Sequence, residues 1–141
     1  MKKNILNAFT LSATIALLII LWFYAALTKV VDYNNFVATL SRSPLIDQFA
    51  NTIGWTLLTV EFGIVLLLFF PKLQALGLYA SALLLIVFTG YILYMLSYVP
   101  HLPCSCGGII QQLSWKQHLI FNVAFILITI FGIRSFRAIH Q

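Results

Sequence analysis

The chain's two cysteines, Cys104 and Cys106, sit one residue apart in Pro103-Cys104-Ser105-Cys106-Gly107-Gly108. Residues i and i+2 can bring their Cα atoms to ~5–6 Å where the backbone turns, which is within disulfide range. Gly107 and Gly108 supply the freedom for such a turn, and Pro103 fixes the approach to it. A ring closed over one residue is strained, and strained disulfides are the exchanging kind. It also closes almost no loop, so it adds little stability. This chemistry favours a redox pair over a structural staple. Two other readings stay open. His101, Cys104, Cys106 and His118 form a thiolate–imidazole set for Cu(I) or Zn, although Cys-x-Cys is not the usual zinc spacing. The cysteines are otherwise two independent free thiols.

His118 and Asn122 stand one helical turn apart, close in sequence to the cysteines. A histidine there can take a proton from a thiol; the bland reading is an interfacial imidazole bonded to a loop carbonyl. Glu61 is the only charged residue between Asp47 and Lys72. It lies nine residues from each end of an apolar run over 52–70, so ~14 Å deep at 1.5 Å per residue. An ionised carboxylate at that depth costs ~2.5–3.5 kcal/mol or more, so it must face the interior, be protonated or be paired. It reads as a proton relay or a contact to a polar small molecule such as a quinone. The alternative is an interhelical contact to Thr89 or Tyr91. Lys29 is a candidate partner, but it lies nearer the far end of the first apolar run. Lys29 and Asp32, three apart, share a face if that helix extends so far.

These residues are held by a chain of 141 residues that is 62% hydrophobic and 8% charged. Eleven charged side chains cannot cover a soluble globule of this size, and disorder needs the opposite composition. Lipid is therefore the expected partner of most of the surface. The net charge of +5 does not indicate nucleic acid, because the basic residues punctuate apolar runs instead of clustering.

The runs set four expected spans, at about 5–28, 52–70, 74–98 and 117–134, in one transmembrane domain over 1–141. The first is too long for a signal peptide and ends in Trp22, Phe23 and Tyr24, which suit an interfacial belt. Between the first two spans, Phe36, Leu40, Ile46 and Phe49 suggest a short amphipathic segment broken at Ser43-Pro44. Pro71-Lys72 separates the second and third spans. Trp115, Tyr94 and Tyr98 read as interface anchors. The side with the termini holds Lys2, Lys3, Lys72, Arg134 and Arg137, against Lys29, Arg42 and Lys116 on the other. The positive-inside rule then places the termini in the cytoplasm and the cysteine loop outside. The expected fold class is all-α: an integral membrane, up-down four-helix bundle.

Taken together, Lys29-x-x-Asp32, Ser43-Pro44-Leu45, Glu61, the Pro103–Gly108 segment and Trp115-x-x-His118-x-x-Phe121-Asn122 resemble the MauE branch of the DoxX-like membrane proteins. The likeness runs from about residue 8 to 134. It implies a four-span bacterial inner-membrane protein associated with periplasmic disulfide chemistry. MauE proteins are named for methylamine utilisation, where they are implicated in maturing the disulfide-rich small subunit of methylamine dehydrogenase. The architecture also looks like vitamin K epoxide reductase and DsbB, which pass electrons from thiols to a quinone. This chain has one cysteine pair where they have two. The expectation is a thiol–disulfide component in which Cys104 and Cys106 exchange with a thioredoxin-like periplasmic partner and His118 moves the proton; the alternatives are a copper- or zinc-binding membrane protein and a non-catalytic accessory subunit of a membrane complex. Glu61, Lys29 and Asn122 line an interior polar site, for which quinone is the candidate cofactor.

Overall fold

Long uncharged runs in lipid leave the backbone one economical solution, because every N–H and C=O must bond within its own segment. The computed structural model describes residues 2–98 and 114–141, and there the chain is all-α, with no strand among the described residues. Helix α1 spans Lys2–Val31, and the short α2 spans Tyr33–Ser41. A 3-10 turn over Asp47–Phe49 leads into α3, Ala50–Phe69. Phe70 is extended (φ −87°, ψ 118°), as the residue before a proline must be, and a second 3-10 turn follows over Pro71–Leu73. Helix α4 then runs over Gln74–Tyr98 and α5 over Trp115–His140.

Helix α5 starts on a capping box. The Ser114 hydroxyl accepts from the Gln117 backbone N–H at 3.3 Å, and the Gln117 side chain accepts from the Ser114 N–H at 2.8 Å. The helix runs on past Arg134, where the apolar run ends, to His140. Four helical segments are long and apolar enough to cross a membrane: Asn4–Val31, Asp47–Phe69, Pro71–Tyr98 and Trp115–His140.

The four long helices form a ring in which α1 packs against α3 and α5, and α4 packs against the same two. Between them lies a core of Leu11, Ile15, Leu18, Leu21, Trp22, Ile64, Leu68, Leu78 and Leu85. The outward faces carry Leu6, Phe9, Ile20, Leu83 and Phe131, each more than half exposed, as suits lipid. Trp22 crosses the ring diagonal, donating its indole N–H to the Ser81 hydroxyl at 3.0 Å. Small residues allow close approach: a Cβ on Gly132 would stand 2.5 Å from Thr14 Cγ2, and one on Gly77 2.9 Å from the Leu68 side chain.

Helix α2 covers one end of this ring, packing Phe36 and Leu40 with Ala50 over the start of α3. Ile46 joins that cluster, but Phe49 is 63% exposed. The amphipathic segment is therefore confined to 36–46. Its register ends where the 3-10 turn rotates Phe49 outward. Beside it Ser43, fully buried, donates to the Met95 sulfur of α4 at 3.7 Å.

Candidate functional site

The direction of side chains on two antiparallel helices explains the centre of the site. Every Cα–Cβ bond leans toward its helix N-terminus. On α1 that lean carries Lys29 back into the bundle, and on α3 it carries Glu61 toward the α2 end. The two meet: Lys29 Nζ stands 2.7 Å from Glu61 Oε1 and donates a second hydrogen bond to the Ala25 carbonyl at 3.2 Å. Glu61 is fully buried, and the Lys29 side chain is 11% exposed. Phe36 of α2 roofs the ammonium, with its ring centroid 5.6 Å from Nζ.

Two expectations are corrected here. Glu61 does not use Thr89, whose hydroxyl donates to the Leu85 carbonyl of its own helix at 2.7 Å. Lys29 does not pair with Asp32 either. Helix α1 stops at Val31, and the Asp32 carboxylate accepts from Asn35 Nδ2 at 2.9 and 3.0 Å. Among the described residues Lys29–Glu61 is the one ion pair.

Helix registers bring α5 to the same level. Thr14 meets Gly132, so ten residues further along both antiparallel helices Asn122 comes level with Tyr24. Contact between Phe23 and Phe62 (centroids 6.4 Å apart) puts Glu61 at that level too. His118 lies one turn closer to the α2 end. Asn122 is buried and His118 half-buried. The structure thus pairs Lys29 with Glu61 and sets His118 and Asn122 at neighbouring levels on α5.

These residues are incompletely bonded among the described residues. Glu61 Oε2, His118 Nδ1 and Asn122 Nδ2 are buried without a hydrogen-bond partner. Leaving such an atom unpaired costs ~1–3 kcal/mol, which makes all three candidates for a functional role.

Cys104, Cys106 and His101 lie outside the described residues. Among the described residues no three His, Cys, Asp or Glu side chains group to hold a metal ion. Sequence reasoning missed Phe36 as the roof of the ion pair and the Ser43–Met95 contact that fastens α2 to α4. The Ser114-x-x-Gln117 capping signal would have fixed the start of α5 and hence the phase of His118 and Asn122.

The fold and these residues define a four-span α-helical membrane protein with a buried ion pair and a polar helix face. The chain belongs to the MauE family: the family model "Methylamine utilisation protein MauE" matches residues 6–135. No curated protein and no solved structure matches it.

Proposed function

We propose that the protein is a membrane component of thiol–disulfide exchange, in which Cys104 and Cys106 trade electrons with a thioredoxin-like partner. What supports this reading most is the position of His118. It stands in the first turn of α5, twelve residues after Cys106, with its Nδ1 bonded to no partner among the described residues. A thiol must lose its proton before it attacks a disulfide, and an imidazole beside it is the usual acceptor. Family membership and a Cys-x-Cys pair flanked by Pro103 and two glycines support the same chemistry. Lys29, Glu61 and Asn122 then form the interior polar site through which protons, or a small polar molecule, reach the exchanging pair.

In this reading the protein lies in the bacterial inner membrane with its termini in the cytoplasm, and the cysteine loop meets its partner in the periplasm. The excess of basic residues at the end with the termini supports that orientation.

Exchange passes through a mixed disulfide. A Cys106→Ser variant therefore leaves the partner trapped on Cys104, or Cys104→Ser traps it on Cys106. Non-reducing electrophoresis with mass spectrometry reads the adduct. If neither single variant forms one, the reading fails.

A further inference from the structure

An open apolar groove of about 310 Å³ runs along the seam between α1 and α5, in the half of the bundle that carries the termini. Phe9, Thr10, Ala13 and Leu17 of α1 form one wall, and Ile128 and Phe131 of α5 form the other. Phe9 and Phe131 are each more than half exposed, so the groove opens to lipid and not into the bundle. From Phe9 to Leu17 it extends ~12 Å, at 1.5 Å per residue. Its hydroxyls are already bonded. Thr10 donates to the Leu6 carbonyl at 2.9 Å, and the buried Thr14 donates to the Ile128 carbonyl at 3.5 Å. What the groove offers is apolar contact.

Cations stand where it reaches the membrane border. Arg134 follows Phe131 by three residues, the spacing that sets two helix side chains ~5–6 Å apart at Cβ. Arg137 follows by three more, and both are exposed. Because Thr14 meets Gly132 across antiparallel helices, Arg137 is level with Phe9 at the end of the groove. The Arg137 guanidinium is braced there. Its Nε and Nη2 donate to the Tyr79 hydroxyl of α4 at 3.0 and 2.7 Å, with its carbon 5.8 Å from the ring centroid. Two of five N–H donors are used in this way, which leaves three. The chain's three acidic side chains stand elsewhere: Asp32 and Asp47 at the α2 end, and Glu61 in mid-α3 on Lys29. The two arginines are therefore neutralised from outside the chain.

We propose that this end of the protein binds an anionic phospholipid of the leaflet on the side of the termini. One acyl chain lies in the α1–α5 groove, and the phosphate accepts from Arg134 and Arg137. A guanidinium suits a phosphate because its parallel N–H groups match two oxygens. Continuation of α5 past the apolar run sets Arg137 ~4.5 Å beyond Arg134, toward headgroup depth. A zwitterionic lipid brings its own cation to the arginines, and a free phosphate leaves the groove unused. A second copy on this seam, inserted in the same sense, sets the same arginines at the same level, like charge against like. The anionic lipid alone answers both the groove and the charge. This site lies in the opposite half of the bundle from Lys29, Glu61 and His118, and it does not depend on the thiol-exchange reading.

The test is native mass spectrometry of the full chain, released from micelles that hold equal amounts of phosphatidylglycerol and phosphatidylcholine with the same acyl chains. One phosphatidylglycerol per chain is expected to be retained, with a preference of about thirtyfold for two arginines. Arg134→Gln/Arg137→Gln is expected to abolish that preference. Arg42→Gln/Lys116→Gln removes two charges from the opposite end and is expected to keep it. Ala13→Phe fills the groove while both arginines remain, and it is expected to lower retention severalfold; Thr10→Met does the same from the neighbouring position. Equal retention of the two lipids by the unaltered chain overturns the site, as does an equal loss in the two charge variants. Full retention in both groove variants overturns the seating of the acyl chain. Displacement of the lipid by an equal concentration of inorganic phosphate, or a lipid-free dimer mass, overturns the choice of occupant.

Discussion

At the end of the bundle that carries the termini, Thr14 lies against Gly132 and Leu68 against Gly77. Two buried hydroxyls there are bonded, Thr14 to the Ile128 carbonyl and Thr129 to the Phe125 carbonyl. From the midplane to the α2 end, the same four helices carry an ion pair, an amide and an imidazole, and three of their polar atoms have no hydrogen-bond partner among the described residues. One half is finished by its own packing. The other keeps polar atoms that its described residues leave unpaired. Close approach of small residues is what stabilises helices in lipid, where no hydrophobic force draws them together. The packed half can therefore hold the bundle while the polar half carries an arrangement that is costly alone.

The largest effect is expected where that division is broken at the ion pair. Glu61→Leu leaves Lys29 buried without its partner, at a cost of about 3–5 kcal/mol in unfolding measured in micelles. Lys29→Met added to Glu61→Met is expected to restore most of the loss, because a buried pair replaced by apolar side chains is often neutral. A double variant as unstable as the single one would show that the pair is not the unit.

In the packed half, Gly132→Ala drives a Cβ to 2.5 Å from Thr14, and Gly77→Ala drives one to 3.0 Å from the Leu68 backbone nitrogen. Each is expected to lower stability by about 1–3 kcal/mol. Between the halves, Trp22→Phe removes the bond to Ser81 and is expected to cost about 0.5–1.5 kcal/mol. The smallest change belongs to Gly63, which faces open space on the lipid side. Gly63→Ala is expected to leave packing intact and gain up to about 1 kcal/mol in helix propensity. Equal costs at Gly63 and Gly132 would erase the distinction between packed and unpacked surfaces.

The all-α membrane fold was legible because composition and charge spacing act over whole segments: Lys3, Lys72, Lys116 and Arg134 bracket runs that leave the backbone no choice but helix. Glu61 was legible as an anomaly for the same reason. Its partner was harder, since Lys29 sits near a helix end in sequence while its ammonium does not. A lysine stem reaches back about one turn, and the opposed lean of two antiparallel helices closes the gap, which linear spacing does not display. Asp32 misleads because three-residue spacing to Lys29 matters only while the helix continues, and it ends at Val31. Phe36 and Asn122 owe their roles to the α2 cap and to helix register, both tertiary. The capping box at Ser114 was readable and local, and it fixes the face on which His118 and Asn122 lie.

The proposed thiol exchange turns on Cys104 and Cys106, fourteen and twelve residues before His118 in the sequence. The most direct measurement is their oxidation state in growing cells, read as a mass shift after acid quenching and alkylation. The account predicts a substantial fraction of chains with both thiols protected from alkylation and freed by prior reduction. Thiols that are fully alkylated without reduction, under every growth condition in which the protein is made, would contradict it.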